Sequence, residues 1–346
     1  FHGLRAEYQA AIELGEEALR LAERAEDPLL IAWAHFSLGW VLDCVGDFSQ
    51  ARAHLEQVSA FYDPEQHRSL AFRRYGGDPG VFALSWVASS LWYLGYPDQA
   101  LHRSQEALAL AQELDHPFTL VQALGSGVAM THMRRREVQA AQEYIEAEIR
   151  LSTEKGFVHY RAAADCRQGW ALVDAGQVEE GIAHLRQALT ARQAMGANTH
   201  RTLYSIQLAE GYRKAGRVEE GLDVLAEASL IMQNTGERCY EAELYRVKGE
   251  LLLTRSVGDE AEAEANFHQA ETCFQHAIEV ASQQGAKSWE LRATMSLCRL
   301  WCKQGKREAA RQMLEEIYGW FTEGFDTGDL QEAKALLEEL GKDPQN

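Results

Sequence analysis

Two residue pairs in this sequence have the types and spacing that metal chemistry uses. Cys298 and Cys302 stand four apart, and Cys273 and His276 three apart, so each pair would share one helix face. A zinc site needs further ligands converging from a second helix. Cys298 also falls where a small core residue belongs, and a buried thiol is the expected reading. No metal and no cofactor is expected. Phosphate chemistry finds no support either. Gly305-Lys306 is followed by Arg307 and lacks the glycine-rich run and hydroxyl partner of a nucleotide loop. No HExxH or GxSxG pattern occurs, and no glycine fingerprint follows a strand, since the sequence contains no convincing strand. Glutamate pairs such as Glu179-Glu180 and Glu219-Glu220 fall in first helical turns, where the dipole favours carboxylates, so they read as solvated surface. No catalytic residue is expected in this chain.

The elements that carry these residues repeat. Gly176–Leu185 (GQVEEGIAHL) and Gly216–Leu225 (GRVEEGLDVL) begin forty residues apart and resemble each other into both flanks. Self-similarity at roughly 20–50 residues marks a solenoid. Each copy reads as one helix closed by a left-handed glycine, Gly176 or Gly216, and a second helix starting at once. Gly181 and Gly221 fall where the two antiparallel helices approach closely, with Leu185 and Leu225 one turn later.

Composition agrees. The 346 residues are 46% apolar with six prolines, and no linker or low-complexity tract interrupts them. The longest clean apolar run, Leu29–Ala34, is too short to span a bilayer, and no basic stretch followed by an apolar segment marks the start as a signal peptide. Six cysteines inside helical pattern suit a reduced, cytoplasmic protein. A formal charge of −18 argues against nucleic acid as the main partner.

In chain order, Phe1-His2-Gly3 reads as the end of a preceding helix and Leu4–Ala25 as its partner. Asp27-Pro28 opens the first complete hairpin, with aspartate as N-cap and proline at the first helical position. That hairpin runs to Val45, turns at Gly46-Asp47 and returns over Phe48–Tyr62. The period then breaks at 63–80 (DPEQHRSLAFRRYGGDPG), read as an inserted loop carrying Arg73 and Arg74. A plainer reading has Gly76-Gly77-Asp78-Pro79 merely turning the chain and capping the next helix. Regular hairpins are expected over 81–321, with an acidic insertion at Ser256–Glu264. A final helix, Leu330–Leu340, is expected to cover the end of the stack, with Asp329 and Glu332 as a capping box and Gly341 as its stop. The whole chain is then one repeat domain, its segment 322–346 forming the cap and tail.

Leu38-Gly39 with Leu42, Ala51 and Leu55, and Leu208-Ala209 with Tyr212, Gly221 and Leu225, resemble tetratricopeptide repeats. The resemblance implies an all-α, right-handed superhelical solenoid of helical hairpins, with a period near 40 where ordinary arrays have about 34. A narrower likeness covers Tyr75–Leu101, Thr235–Leu253, Ala286–Leu314 and Tyr318–Leu340. These segments are similar to a repeat region at the C-terminus of large bacterial signalling ATPases of the STAND class, which often carry a class III adenylate/guanylate cyclase domain. That likeness implies a non-catalytic sensor or scaffold array. The alternative is a stand-alone adaptor for peptide segments of partner proteins.

In tetratricopeptide arrays the first helix of each hairpin lines the concave groove. Carried onto this sequence, that pattern places Trp33, Phe36, Trp40, Phe82, Trp92, Tyr93, Met130, Met133 and Trp170 in the first half of the groove. Glu210, Arg213, Lys214, Glu243, Arg246, Glu250, Arg292, Arg299 and Lys303 line the second half. Aromatic residues, Met and Arg are typical of binding surfaces. The expected occupant is a protein or peptide segment, other domains of the same polypeptide included, or a small apolar ligand; neither nucleic acid nor membrane is expected. In the competing reading the aromatics pack between adjacent first helices, and Glu243/Arg292 and Glu250/Arg299 are ion pairs between repeats.

Overall fold

The computed structural model describes residues 7–255 and 260–342. Those residues form an all-α superhelical array of tetratricopeptide-like hairpins. After α1 (Tyr8–Arg24), the pairs are α2 (Pro28–Val45) with α3 (Phe48–Phe61) and α5 (Pro79–Tyr93) with α6 (Pro97–Leu114). The next first helix is composite, running through α7 (Pro117–Gln122), a π-helical segment (Ala123–Ala129) and α8 (Met130–Arg135), and pairs with α9 (Val138–Lys155). Then follow α10 (Val158–Asp174) with α11 (Val178–Ala194), α12 (Arg201–Lys214) with α13 (Val218–Thr235), and α14 (Glu241–Thr254) with α15 (Glu260–Gln283). Last come α16 (Lys287–Lys303) with α17 (Arg307–Trp320), and α18 (Gly328–Leu340) packed against both. The expected helix end at Phe1–Gly3 and the residues 256–259 of the acidic insertion lie outside the described residues.

The repeat copies fold as their pattern dictates. Gly46, Gly176 and Gly216 close their helices at φ 86°, 89° and 73°. Gly169 and Gly181 let α10 and α11 meet: a Cβ added at Gly181 would lie 2.7 Å from the Gly169 carbonyl oxygen and 2.6 Å from Val173 Cγ2. The two glycine roles separate experimentally. Around Gly216 a Cβ meets open space, so Gly216→Val incurs only the strain of a β-branched residue at positive φ and is expected to cost about 1–2 kcal/mol. Gly181→Ala forces backbone apart and is expected to cost about 1–3 kcal/mol or more. Urea unfolding of the two variants checks the order; equal losses would mean that close approach is not what requires Gly181.

Residues 63–80 are not a loop. Asp63 caps α4 (Pro64–Tyr75), its Oδ1 accepting from the Glu65 amide at 2.9 Å, and Gly76 closes that helix at φ 74°. The Asp-Pro signature that opens α2 at residues 27–28 recurs here and again at Asp78-Pro79, where Asp78 caps α5. Helix α4 buries Ala71 alone, so no apolar stripe announces it.

The expected capping box on α18 does not form: Thr327 is the N-cap position and makes no side-chain cap bond. Asp329 and Glu332 instead reach basic residues of other hairpins. Gly341 ends the helix in a right-handed conformation at φ −77°.

The array closes on itself. Backbone amides of Arg238 and Cys239 donate to the Cys44 carbonyl at 3.0 and 3.1 Å, Ser288 Oγ donates to the Trp92 carbonyl at 2.5 Å, and Tyr93 meets Tyr240 edge-on. Glu323 caps α6 from 225 residues away, accepting from the Asp98 and Gln99 amides at 3.0 Å each. Helix α2 is long and apolar enough to cross a membrane by length and composition. Here it packs against α1, α3 and α5, and its Asp43 is buried, accepting from Ser89 Oγ at 3.1 Å and Ser90 Oγ at 2.7 Å.

Candidate functional site

The first helices converge on the inside of the closed array and leave two clefts there. The first, about 200 Å³, is walled by Phe36 and Trp40 of α2 and by Phe82 and Trp86 of α5. Gln122 and Ser126, around the π-helical segment, form one side, and α10 and α12 form the floor. The second is a continuous depression of two adjoining hollows, about 110 and 350 Å³, which share Met133, Trp170, Asp174, Glu210, Lys214 and Arg292.

The wall between the clefts is polar and buried. His200 lies stacked on Trp86 with ring centroids 5.6 Å apart, and its Nδ1 is 3.1 Å from the Tyr240 hydroxyl. The backbone at His200 is left-handed, φ 57°, a conformation uncommon for a residue with a Cβ. It is held by buried Glu237, whose Oε1 accepts from the His200 amide at 3.1 Å.

Below the first cleft lies a buried ion pair. Arg167 donates from Nε to Glu148 Oε2 at 3.1 Å and from Nη2 to Oε1, and its Nη1 donates to Tyr204 Oη at 3.1 Å. Gly125 makes room for the pair, since a Cβ there would lie 2.6 Å from both Glu148 Cδ and Arg167 Nη2. Arg192 stacks over Tyr204 at 5.2 Å and gives one bond, Nη2 to the Thr199 carbonyl at 2.6 Å.

These guanidinium groups set the titration of their neighbours. Burial first, and then Arg192 and Arg167, push His159 down to about 4; burial, Arg192 and Arg134 push His200 down to about 3. Both rings are therefore neutral in the folded chain, whereas an unfolded imidazole takes a proton below about 6.5. The stability gained by keeping them neutral is complete above that value and is lost as pH falls towards the folded values. Between pH 7 and 5 the unfolding free energy is expected to drop by on the order of 1–2 kcal/mol per imidazole. Urea titrations of His159→Gln and His200→Asn at the two pH values test this. Asparagine tolerates the left-handed backbone at 200, and each variant should show a shallower drop.

The groove residues expected from sequence divide into three groups. Phe36, Trp40 and Phe82 line the first cleft; Met130, Met133, Trp170, Arg246, Arg292 and Arg299 line the second. Trp33 packs among Phe36, Phe82 and Tyr75. Trp92 and Tyr93 are core instead, 2% and 0% exposed, so the expectation that they bind a ligand is corrected. Their burial is against distant helices as well as near ones. Trp92 packs edge-on to Trp289 of α16, with ring centroids 4.8 Å apart. Arg73 and Arg74 are exposed in the last turn of α4 and line neither cleft.

The ion pairs also differ from expectation. Arg246 takes two glutamates of its own helix, Glu243 at 2.7 Å and Glu250 at 3.6 Å. Arg292 goes to Asp329 at 2.8 Å and Arg299 to Glu332, because α18 lies beside α16 and brings these acids to it. Arg136, left-handed in a turn without glycine, joins both acids as well.

Sequence reasoning missed Glu148, Arg167, Arg192, His159 and His200. One signal was available: Glu148 follows Ala141 and Ile145 on the buried stripe of α9, and Arg192 follows Leu185 and Ala188 on that of α11. A charge on an apolar stripe needs a partner inside. Cys298 is fully buried and donates to the Ala310 carbonyl, and Cys273 is buried too. Among the described residues no three His, Cys, Asp or Glu side chains converge as metal ligands.

Comparison with known proteins is consistent with this architecture. Residues 1–63 match the tetratricopeptide repeat family. An uncharacterized protein of Rhizobium meliloti (strain 1021) is 22% identical over 259 residues, 75% of this chain and 24% of that protein. The chain thus spans about a quarter of the relative's length. Among solved structures, a Rap protein complexed with Competence and Sporulation Factor superposes with a TM-score of 0.59 at 12% identity, covering 98% of this chain and 96% of that one. The Rap conjugation gene regulator of plasmid pLS20, in complex with the Phr* peptide, gives 0.56 at 11% identity, covering 90% and 75%. Such identities show a shared fold: this chain is built like the Rap tetratricopeptide-type arrays.

Proposed function

We propose that this chain is a non-catalytic sensor or scaffold array that holds a peptide or protein segment in its second cleft, as the regulatory part of a larger signalling protein. The observation that carries the reading is the lining of that cleft. Successive first helices present acid–base pairs to it: Asp174 with Lys214 at 3.0 Å, Glu210 with Arg213 at 2.7 Å, and Glu243 with Arg246 at 2.7 Å. Trp170 and Met133 lie beside them. A row of carboxylate and guanidinium groups flanked by apolar surface suits an extended main chain with its alternating donors and acceptors. The Rap regulator of like fold was solved with the Phr* peptide, which supports a peptide here. The length of the Rhizobium relative, with the STAND-type resemblance of four segments, supports a larger parent that carries an ATPase or nucleotide cyclase. A ligand bridging α10–α12 and α16 would favour the closed array, and could drive a switch only through that difference in affinity.

The test is selection of peptides on the purified chain from a random heptapeptide display library. Enriched peptides should lose about tenfold or more in affinity on Trp170→Ala or Lys214→Glu, with melting unchanged. Failure to enrich any peptide, or affinity indifferent to both substitutions, overturns the reading. The same preparation should neither hydrolyse ATP nor form cyclic nucleotides; turnover abolished by a point substitution within the chain would refute the non-catalytic assignment.

A further inference from the structure

We infer that the first cleft is a separate small-molecule site, built to take a flat apolar body that ends in an anionic group, with Arg192 receiving the anion. The inference does not depend on peptide binding in the second cleft. It starts from charge. Two guanidinium groups, Arg167 and Arg192, line the cleft, and one carboxylate, Glu148, lies buried beneath it, engaged by Arg167 through two nitrogens. The next acid, Asp165, pairs with Arg161 at 2.9 Å. The two histidines at the cleft stay neutral and the buried Glu237 carboxyl is held by the His200 amide, so one positive charge is left without an ion-pair partner.

That charge sits on Arg192, which is 2% exposed and lines the cleft. Its Nη2 is used by the Thr199 carbonyl, but Nε and Nη1 are buried with no hydrogen-bond partner. Unpaired guanidinium N–H groups in a low-dielectric site are costly to keep, and an anionic oxygen satisfies one with a charge-assisted bond. Burial of this kind in an open, concave site is what ligand recognition uses.

A second observation concerns the walls. Trp40 presents another buried donor without a partner, its indole Nε1. Phe36, Phe82 and Trp86 complete an aromatic surface suited to stacking on a ring. The cleft holds about 200 Å³, below the roughly 300–1000 Å³ of drug-sized ligand sites, so a small single-ring ligand is what it suits. The π-helical segment that contributes Ser126 is a third: such insertions occur frequently at functional sites. Apolar rings on one side and a single uncompensated cation on the other select an aromatic monoacid. A phosphate monoester offers the same anionic oxygens with a larger charge.

The experiment titrates the whole chain by calorimetry with phenylacetate, its neutral isostere phenylacetamide, and phenyl phosphate. Phenylacetate is expected to bind about tenfold or more tightly than the amide, as a charge-assisted bond implies. Arg192→Gln should erase that preference, and Ser126→Trp, which fills the cleft without touching the floor, should abolish binding of all three probes. Tighter binding of phenyl phosphate than of phenylacetate would identify the natural anion as a phosphate ester and uphold the anion site. Equal binding of acid and amide, no heat up to about 10 mM of either anion, or unchanged binding in Ser126→Trp overturns the inference. If Arg192→Gln fails to fold, the acid–amide comparison and Ser126→Trp still decide it. Loss of the peptide site through Trp170→Ala or Lys214→Glu should leave these titrations unchanged, so the two assignments fail separately.

Discussion

Arg167→Met is expected to destabilise the array by about 3–5 kcal/mol, because it strands a carboxylate that is fully buried. Glu148 is 0% exposed, and burial already pushes its carboxyl above the ordinary range even with Arg167 beside it. Without the guanidinium, two of its charge-assisted bonds vanish and no solvent replaces them. The sign of the pH dependence follows. A carboxyl whose folded value is raised is favoured by protonation, so the deficit of Arg167→Met is largest at neutral pH and shrinks as pH falls towards the unfolded value. Removing both charges tests the mechanism. Arg167→Met with Glu148→Leu should recover much of the loss, since an ion pair replaced whole by apolar groups is often neutral or better. Urea unfolding of the two single variants and the double variant gives the coupling directly. A single-variant loss below about 1 kcal/mol would mean that Glu148 finds another partner or water.

Trp92→Ala is expected to cost a comparable 3–5 kcal/mol, roughly that of truncating a large buried aromatic. The ring meets Trp289 edge-on, and the Arg292 guanidinium lies 5.0 Å from both rings. The Arg292 side chain in turn holds Asp329 of α18 at 2.8 Å and donates to the Arg134 carbonyl at 2.7 Å. Truncation therefore removes packing and also loosens the seam between the α5–α6 hairpin and the last one. A solenoid held only by neighbouring repeats would respond locally. This one should respond globally, with a lower thermal midpoint and a larger radius of gyration by small-angle scattering. Unchanged stability and dimensions would show that the seam contributes nothing.

The fates of Trp40 and Trp92 show where sequence reasoning ends. Both are tryptophans on first helices, at places that tetratricopeptide likeness assigns to the groove. Trp40 lines a cleft; Trp92 is sealed by Trp289. Spacing along α5 gives the face of the helix correctly. It cannot tell whether a helix from 196 residues later covers that face. The same limit governs Asp329 and Glu332, which have the spacing of a capping box. Helix α18 lies within reach of Arg136, Arg292 and Arg299, and charge-assisted bonds to guanidinium outcompete a local cap.

By itself the sequence determined the repeat, the hairpins and their turns. Those features depend on contacts within about forty residues: a left-handed glycine, an Asp-Pro cap, small residues facing across one hairpin. The misread stretch at 63–80 was legible by the same rule, since Asp63-Pro64 carries the signature of Asp27-Pro28; only the lack of an apolar stripe hid α4. The tertiary structure alone decided which inward residues became core, which became cleft, and where charge went unpaired. Superhelical closure sets these outcomes by summing small rotations over many repeats, and no local pattern encodes that sum. Arg192 is the clearest case: its place on a buried stripe is written in α11, while its lack of an acid partner depends on Glu148 being taken by Arg167 from the neighbouring hairpin.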